Sequence, residues 1–187
     1  MSNLARVSST MTPQEYFAFE EKTPLKHEYL GGVVYAMVGA TDRHNMIALN
    51  IAAFLHAARP TGCQIFVSDM KLKVKLMAAE TYYYYPDVLV SCAASDREPL
   101  FREQPILLVE VASPSTERID CGEKLNAYRQ IPALSEYVIV ARDRPEIEVY
   151  RRRNGWVREV LKPDEALVLE GIGITLSPSQ VYRDIEF

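Results

Sequence analysis

The chain alternates between helical and strand-like hydrophobic periods, and their order predicts an α/β arrangement. Near the start, Thr12-Pro13-Gln14-Glu15 reads as a helix opening, with Thr12 as N-cap, Pro13 at the first helical position and Glu15 completing a capping box. A short helix over 12–21 follows. From His27 to Val38 two extended runs flank Leu30-Gly31-Gly32, whose glycines supply the positive φ of a tight hairpin. Thr41 or Asp42 then caps a second helix, in which Met46, Ile47, Leu49, Ile51, Phe54 and Leu55 recur at helical spacing up to Pro60.

From Gln64 to Leu76 the period changes to two. Leu72, Val74 and Leu76 share one strand face, and Asp69, Lys71, Lys73 and Lys75 share the other. The tract Tyr82-Tyr83-Tyr84-Tyr85-Pro86-Asp87 runs into Val88-Leu89-Val90. Ile106-Leu107-Leu108-Val109-Glu110-Val111 is almost wholly apolar, as for a strand covered on both faces. These are the predicted central strands. Ser113-Pro114-Ser115-Thr116 supplies turn and cap residues for a helix over Glu117 to Gln130, which stops before Pro132. A buried strand at Tyr137-Val138-Ile139-Val140 precedes Ile147-Glu148-Val149-Tyr150 and a hairpin about Asn154-Gly155. With no repeat or linker in view, the expectation is one α/β (α+β) domain over 1–187, led by a flexible stretch at 1–11.

Composition narrows the class. The 187 residues are 48% hydrophobic and 25% charged, a balance that favours a folded domain over a disordered chain. Met1 to Met11 lacks the pattern of a signal or transit peptide, and no apolar run approaches the ~20 residues of a membrane span. A cytoplasmic protein with no membrane partner is expected. Cys63, Cys92 and Cys121 fit no zinc spacing and read as reduced, structural cysteines. A net charge of −4 argues against a simple DNA-binding module but leaves room for an enzyme with a local basic cleft.

Two acids stand out against this background. Glu110 lies inside an apolar strand, where a bare carboxylate is costly to bury, so it needs a partner. Asp87 begins the preceding apolar strand, and only the polar connection Ser91 to Gln104 separates the two, so the acids can converge. Magnesium commonly takes one or two protein carboxylates and leaves positions for water and phosphate. Lys124, early in the following helix, can fold back over the sheet edge to stabilise developing negative charge. On spacing alone the plainer roles stay open: Asp87 as a turn acid, Glu110 as an ion-pair residue, and Lys124 as a surface lysine.

At these residues the chain resembles the PD-(D/E)XK nuclease superfamily, and more closely its restriction-endonuclease-like bacterial branch, the Uma-two family. The resemblance is carried in order by Met11-Thr12-Pro13-Gln14-Glu15-Tyr16, His27-Glu28-Tyr29-Leu30-Gly31-Gly32, Tyr85-Pro86-Asp87-Val88, Val109-Glu110-Val111-Ala112-Ser113-Pro114-Ser115-Thr116, and Gly122-Glu123-Lys124-Leu125 with Tyr128. It implies a restriction-endonuclease-like core, a mixed sheet flanked by helices, and hydrolysis of nucleic acid, DNA foremost, with Mg2+ or Mn2+. It further implies that Asp87, Glu110 and the Val111 backbone carbonyl bind metal. The chain departs at Ala112, where the superfamily places a lysine, and this makes Lys124 the replacement. Glu28 matches a family acid that can join the metal site, and His44 matches a polar family position that can contact substrate.

Further candidates follow from the pattern. Asp69 with Lys71, Lys73 and Lys75 forms a strand face that could meet phosphate, or else a solvated edge guarded by lysines. Arg151-Arg152-Arg153 reads as a solvated hairpin more than as a nucleic-acid clamp. Two rival functions remain: a nuclease-fold binding or regulatory protein made inactive by Ala112, and an interaction protein whose Ile172-Gly173-Ile174-Thr175-Leu176 segment docks on a second copy. A homodimer is also compatible with a nuclease that cuts both strands.

Overall fold

The opening capping box forms as the sequence indicates. Thr12 Oγ1 accepts from the Glu15 amide at 3.3 Å, and the Glu15 carboxylate accepts from the Thr12 amide at 2.8 Å, which starts α1 (Pro13–Glu20). This computed structural model describes residues 6–8, 10–37, 39–76, 80–113 and 119–187. The hairpin of β2 (His27–Leu30) and β3 (Val33–Ala36) turns through Gly31 and Gly32, whose φ values of 56° and 101° are costly for other residues. Val38, the expected end of the hairpin, lies outside the described residues. The lead-in differs from expectation: β1 (Arg6–Ser8) pairs antiparallel with β3, whose outer edge would otherwise leave backbone groups unpaired. Residues 1–5 of that lead-in are not among those described.

Thr41 caps α2 (Asp42–Ala58), and Ile47, Ile51 and Leu55 fill its buried face. Next come β4 (Gln64–Val67), β5 (Lys71–Lys75), β6 (Thr81–Tyr84), β7 (Val88–Ser91), β8 (Phe101–Arg102) and β9 (Pro105–Ala112). The tract 82–90 is split at Tyr85-Pro86-Asp87, where the chain leaves one sheet for another. The first sheet runs β1-β3-β2-β6-β5-β8. The second holds β7, β9 and β4 together with β10 (Glu136–Ala141), β11 (Ile147–Arg151) and β12 (Arg158–Val160), in the order β12-β11-β10-β9-β7-β4. Pairing is antiparallel between β7 and β9 and parallel between β9 and β10, so the second sheet is mixed.

These sheets share one apolar layer. Leu72, Val74 and Tyr84 from the first sheet join Leu89, Leu108, Tyr137, Ile139 and Tyr150 from the second. Also in this layer is a π-helical turn, Asp120–Lys124, which continues into α3 (Leu125–Tyr128). Such turns carry an extra residue and recur at functional sites. The start of the expected helix at Glu117, and the Pro114-Ser115-Thr116 turn before it, lie outside the described residues. On the far face of the second sheet, α2 packs with the ribbon β13 (Leu167–Leu169) and β14 (Ile174–Leu176) and with α4 (Pro178–Val181). α1 covers the outer face of the first sheet through Tyr16, which packs with Tyr29, Val34 and Tyr83.

Three expectations are corrected here. Ile172, Ile174 and Leu176 are buried in the chain's own core, so that segment is not an exposed docking strand; its alternation meets an intramolecular partner. Cys63 and Cys92 form a disulfide across the β4 and β7 pair, where the expectation was three reduced cysteines. Their 29-residue separation hides an adjacency that only strand pairing creates. The solvated arginine hairpin is corrected at Arg151, which is buried and donates to Glu136 at 3.1 Å and to the Val168 carbonyl at 2.9 Å, whereas Arg152, whose Nε donates to the Leu134 carbonyl at 2.7 Å, and Arg153, paired with Glu170, are exposed.

Candidate active site

The crossing between the sheets delivers Asp87. β7 begins one residue later, and its Val88 pairs with Val109 of β9, so Asp87 lies beside Glu110 at the ends of neighbouring antiparallel strands. Asp87 Oδ2 accepts from the Val111 amide at 2.7 Å and lies 3.1 Å from His44 Nε2 in the first turn of α2. This amide points toward Asp87. In an extended strand the amide and carbonyl of one residue face the same edge and alternate with those of the next. The Ala112 carbonyl accepts from the Arg142 amide at 3.0 Å, toward the other edge, so the Val111 carbonyl opens on the Asp87 side.

Glu110 is 4% exposed, and its neighbours come from three directions. Lys124 Nζ stands 2.9 Å from Glu110 Oε1, 3.4 Å from Asp120 and 4.0 Å from Glu28. Tyr128 also donates to Glu110 Oε1, at 2.9 Å. Glu28 comes from β2 in the first sheet, where the Tyr85 amide donates to it at 3.5 Å. The cluster therefore bridges both sheets and the helical turn, with one lysine set among three buried acids.

That imbalance governs protonation. Burial pushes Glu110 well above the usual carboxylate range; Lys124 opposes the rise, and Asp87 and Asp120 add to it. Burial raises Glu28 likewise, again against Lys124. For Lys124, burial acts to remove the proton, but Glu110, Asp120 and Glu28 outweigh it and hold the proton well beyond the ordinary lysine range. Both members of the Lys124 and Glu110 pair thus move upward, Glu110 chiefly through burial and Lys124 through the acids crowded around it. Ionising these acids together needs compensating positive charge, which a further cation would supply.

The donor set fits a hard divalent ion. Asp87 Oδ1 and Glu110 Oε2 make no hydrogen bond among the described residues, and the Val111 carbonyl faces the same region. Oxygen donors of this type suit Mg2+ or Mn2+. Among the described residues, no group of three or more His, Cys, Asp or Glu side chains stands at metal-holding spacing. The side-chain oxygens that could hold such an ion are a pair, supplemented by backbone, with the Lys124 ammonium beside Glu110 at 2.9 Å.

Other sequence candidates fall elsewhere. Asp69 is not on a strand face; it lies in the bend before β5, exposed, and pairs with Lys26. Lys71 is 3.5 Å from Glu20, and Lys73 is 2.5 Å from Glu103, which also draws Lys75 at 3.6 Å. Because Leu72 pairs with Tyr84 and Lys73 with Tyr83, these lysines occupy the face of the first sheet opposite to the Leu72 and Tyr84 layer that holds the site. Their period-two signal marks a face correctly but cannot say which face meets the acids. Asp120 and Tyr128 escaped the sequence reading as participants. The (i, i+4) spacing of Asp120, Lys124 and Tyr128 was the available signal.

Ala112 lies on the same strand face as Glu110. Together with Ile139, Ala141, Arg144, Glu146 and Glu148 it lines a small depression, whose wall does not include Asp87, Glu110 or Lys124.

Comparison with known proteins gives the family and the fold. A family described as "Putative restriction endonuclease" (Uma2) matches residues 13–179. Among curated relatives, an uncharacterized Synechocystis protein is 33% identical over 181 residues, covering 95% of this chain and 94% of its own. A second from the same organism is 32% identical over 146 residues, covering 76% and 81%. A crystal structure titled a "putative nuclease" from Anabaena variabilis aligns with a TM-score of 0.70 at 16% identity, over 91% of this chain and 97% of that one. At that identity the likeness shows the fold.

Proposed function

We propose that this chain, which belongs to the Uma2 family of restriction-endonuclease-like proteins, hydrolyses nucleic-acid phosphodiester bonds, with DNA as the main substrate and Mg2+ or Mn2+ as cofactor. The observation that carries the proposal is the convergence of Asp87 and Glu110 on adjoining strands, with Lys124 bound to Glu110 Oε1. A divalent ion held by Asp87, Glu110 and the Val111 carbonyl would lower the pKa of a bound water and shield the charge of the leaving oxygen.

The chain's own groups supply the rest. The Val111 amide and His44 fix one oxygen of Asp87 and leave the other open. The cationic Lys124 stands where it can orient a water or meet a phosphate oxygen, the role that Ala112 cannot fill. Glu28 faces Lys124 from the first sheet at 4.0 Å. A pair of such sites on two copies would cut both strands of a duplex, so a homodimer is the matching assembly.

The test is cleavage of single- and double-stranded DNA and RNA by purified protein with Mg2+ or Mn2+, beside Asp87→Asn and Glu110→Gln. Metal-dependent cutting lost in both variants is the expected result. An absence of cutting by the wild type on every substrate refutes the catalytic reading. If Glu110-dependent metal binding is absent as well, a binding or regulatory role takes its place.

A further inference from the structure

Behind the acids, tyrosine rings pack in a row. Tyr84 meets Tyr128 edge-on at 5.3 Å, Tyr128 meets Tyr137 edge-on at 5.1 Å, and Tyr137 stacks on Tyr150 at 6.0 Å. Their hydroxyls differ in what they hold. Tyr137 donates to the Asp120 carbonyl at 3.2 Å and Tyr150 to Glu148 at 2.8 Å, while Tyr84 has no acceptor among the described residues. Tyr128 alone in the row donates to a carboxylate proposed to bind metal.

We propose that Tyr128 is a positioning residue that holds the Glu110 carboxylate in its ligating orientation independently of Lys124, which frees that lysine to serve water or phosphate. The inference rests on the nuclease reading above and extends it to a residue with no role assigned so far. Three features support it. Tyr128 and Lys124 both engage Oε1, so Oε2 stays open to a cation. Lys124 divides its charge among Glu110, Asp120 and Glu28, whereas the Tyr128 hydroxyl gives its hydrogen bond to Glu110 alone. The Tyr128 ring is fully buried and gripped at 87° and 89° by its neighbours, which fixes the direction of the donor. If Lys124 turned toward substrate without Tyr128 in place, Glu110 would keep no donor among the described residues. Outer partners that orient a metal-binding group typically account for 10–100-fold in metal affinity.

The experiment measures Mn2+ binding by calorimetry, together with thermal melting, for wild type, Glu110→Gln, Tyr128→Phe and Tyr182→Phe. The last is a control distant from the acids: it loses a hydroxyl bond of similar length, 2.8 Å to the Glu146 carbonyl. Expected is Mn2+ binding that is about 10-fold or more weaker in Tyr128→Phe and unchanged in Tyr182→Phe, with comparable melting shifts in the two. Wild-type binding that requires Glu110 but is equally tight in Tyr128→Phe overturns the positioning role and leaves the nuclease reading intact. Wild type that binds no Mn2+ overturns both. Should Tyr128→Phe fail to fold, fluorotyrosine at position 128 keeps the ring and alters only the donor strength. A changed Mn2+ affinity then supports the role, and an unchanged one refutes it.

Discussion

Replacing Lys124 with methionine keeps the length of the side chain and removes its charge, leaving Glu110, Asp120 and Glu28 buried with no cation between them. Breaking a buried ion pair from one side typically costs about 3–5 kcal/mol. For a domain of this size each kcal/mol moves the melting point by about 2–4 °C, so Lys124→Met should melt roughly 6–20 °C below wild type. The pH dependence gives a sharper check. Glu110 and Glu28 already have folded-state pKa values above those of the unfolded chain. A group shifted in that direction favours folding fully below its unfolded pKa and loses that contribution as the pH rises through the folded value. Without the Lys124 charge both acids shift further up. The deficit relative to wild type should therefore be greatest at the alkaline end of the series, where the acids ionise, and should shrink as they take up protons. Calorimetric melts of both proteins in chelator, over a pH series, measure it. A Lys124→Met protein that melts with wild type in alkaline buffer, or whose deficit is flat with pH, refutes the description of an undercompensated acid cluster.

Other consequences can be checked as directly. Because burial raises the pKa of Glu110 and Glu28, divalent binding that needs ionised carboxylates should release protons and tighten as the pH rises; titration calorimetry in buffers of different ionisation enthalpy reads this release, and proton-neutral binding contradicts it. Ala112→Lys, built into Lys124→Met, should recover part of the lost cleavage because position 112 shares a strand face with Glu110, two residues away. No recovery in a folded double variant would mean that a lysine at position 112 does not bring its ammonium to the acids. Denatured but unreduced protein should react with a thiol reagent at Cys121 alone, and modification of all three cysteines would remove the Cys63 to Cys92 bridge.

Much of the fold could be read from local signals. The Thr12 to Glu15 capping box, the Gly31-Gly32 turn and the α2 stripe each depend on contacts within a few residues, which a linear pattern records faithfully. The adjacency of Asp87 and Glu110 was also accessible, because a short polar connection between two apolar strands favours pairing. What stayed hidden is non-local. The Tyr82 to Val90 tract gives no sign in its periodicity that it changes sheets, since an apolar strand reads alike in either one. The lysine face of β5 was visible, but its turn away from the acids depends on pairing with β6. Asp120 and Tyr128 look like ordinary helix residues until the turn that carries them is laid between two sheets. The Arg151 network likewise depends on acids brought from β10 and β12.

The passage of the chain through Tyr85-Pro86-Asp87 makes the acid cluster a seam. Glu28 is anchored in one sheet and Glu110 in the other, and Lys124 joins them from a third element. Each sheet can keep its own ladder of backbone hydrogen bonds while the angle between them changes slightly, and such a change would part the lysine from its acids first. The cluster therefore acts as a strain gauge for the interface. Mild heat or denaturant should silence the site while the β-sheet signal is still intact, and a divalent ion held by Asp87 and Glu110, binding only the assembled cluster, should postpone that loss.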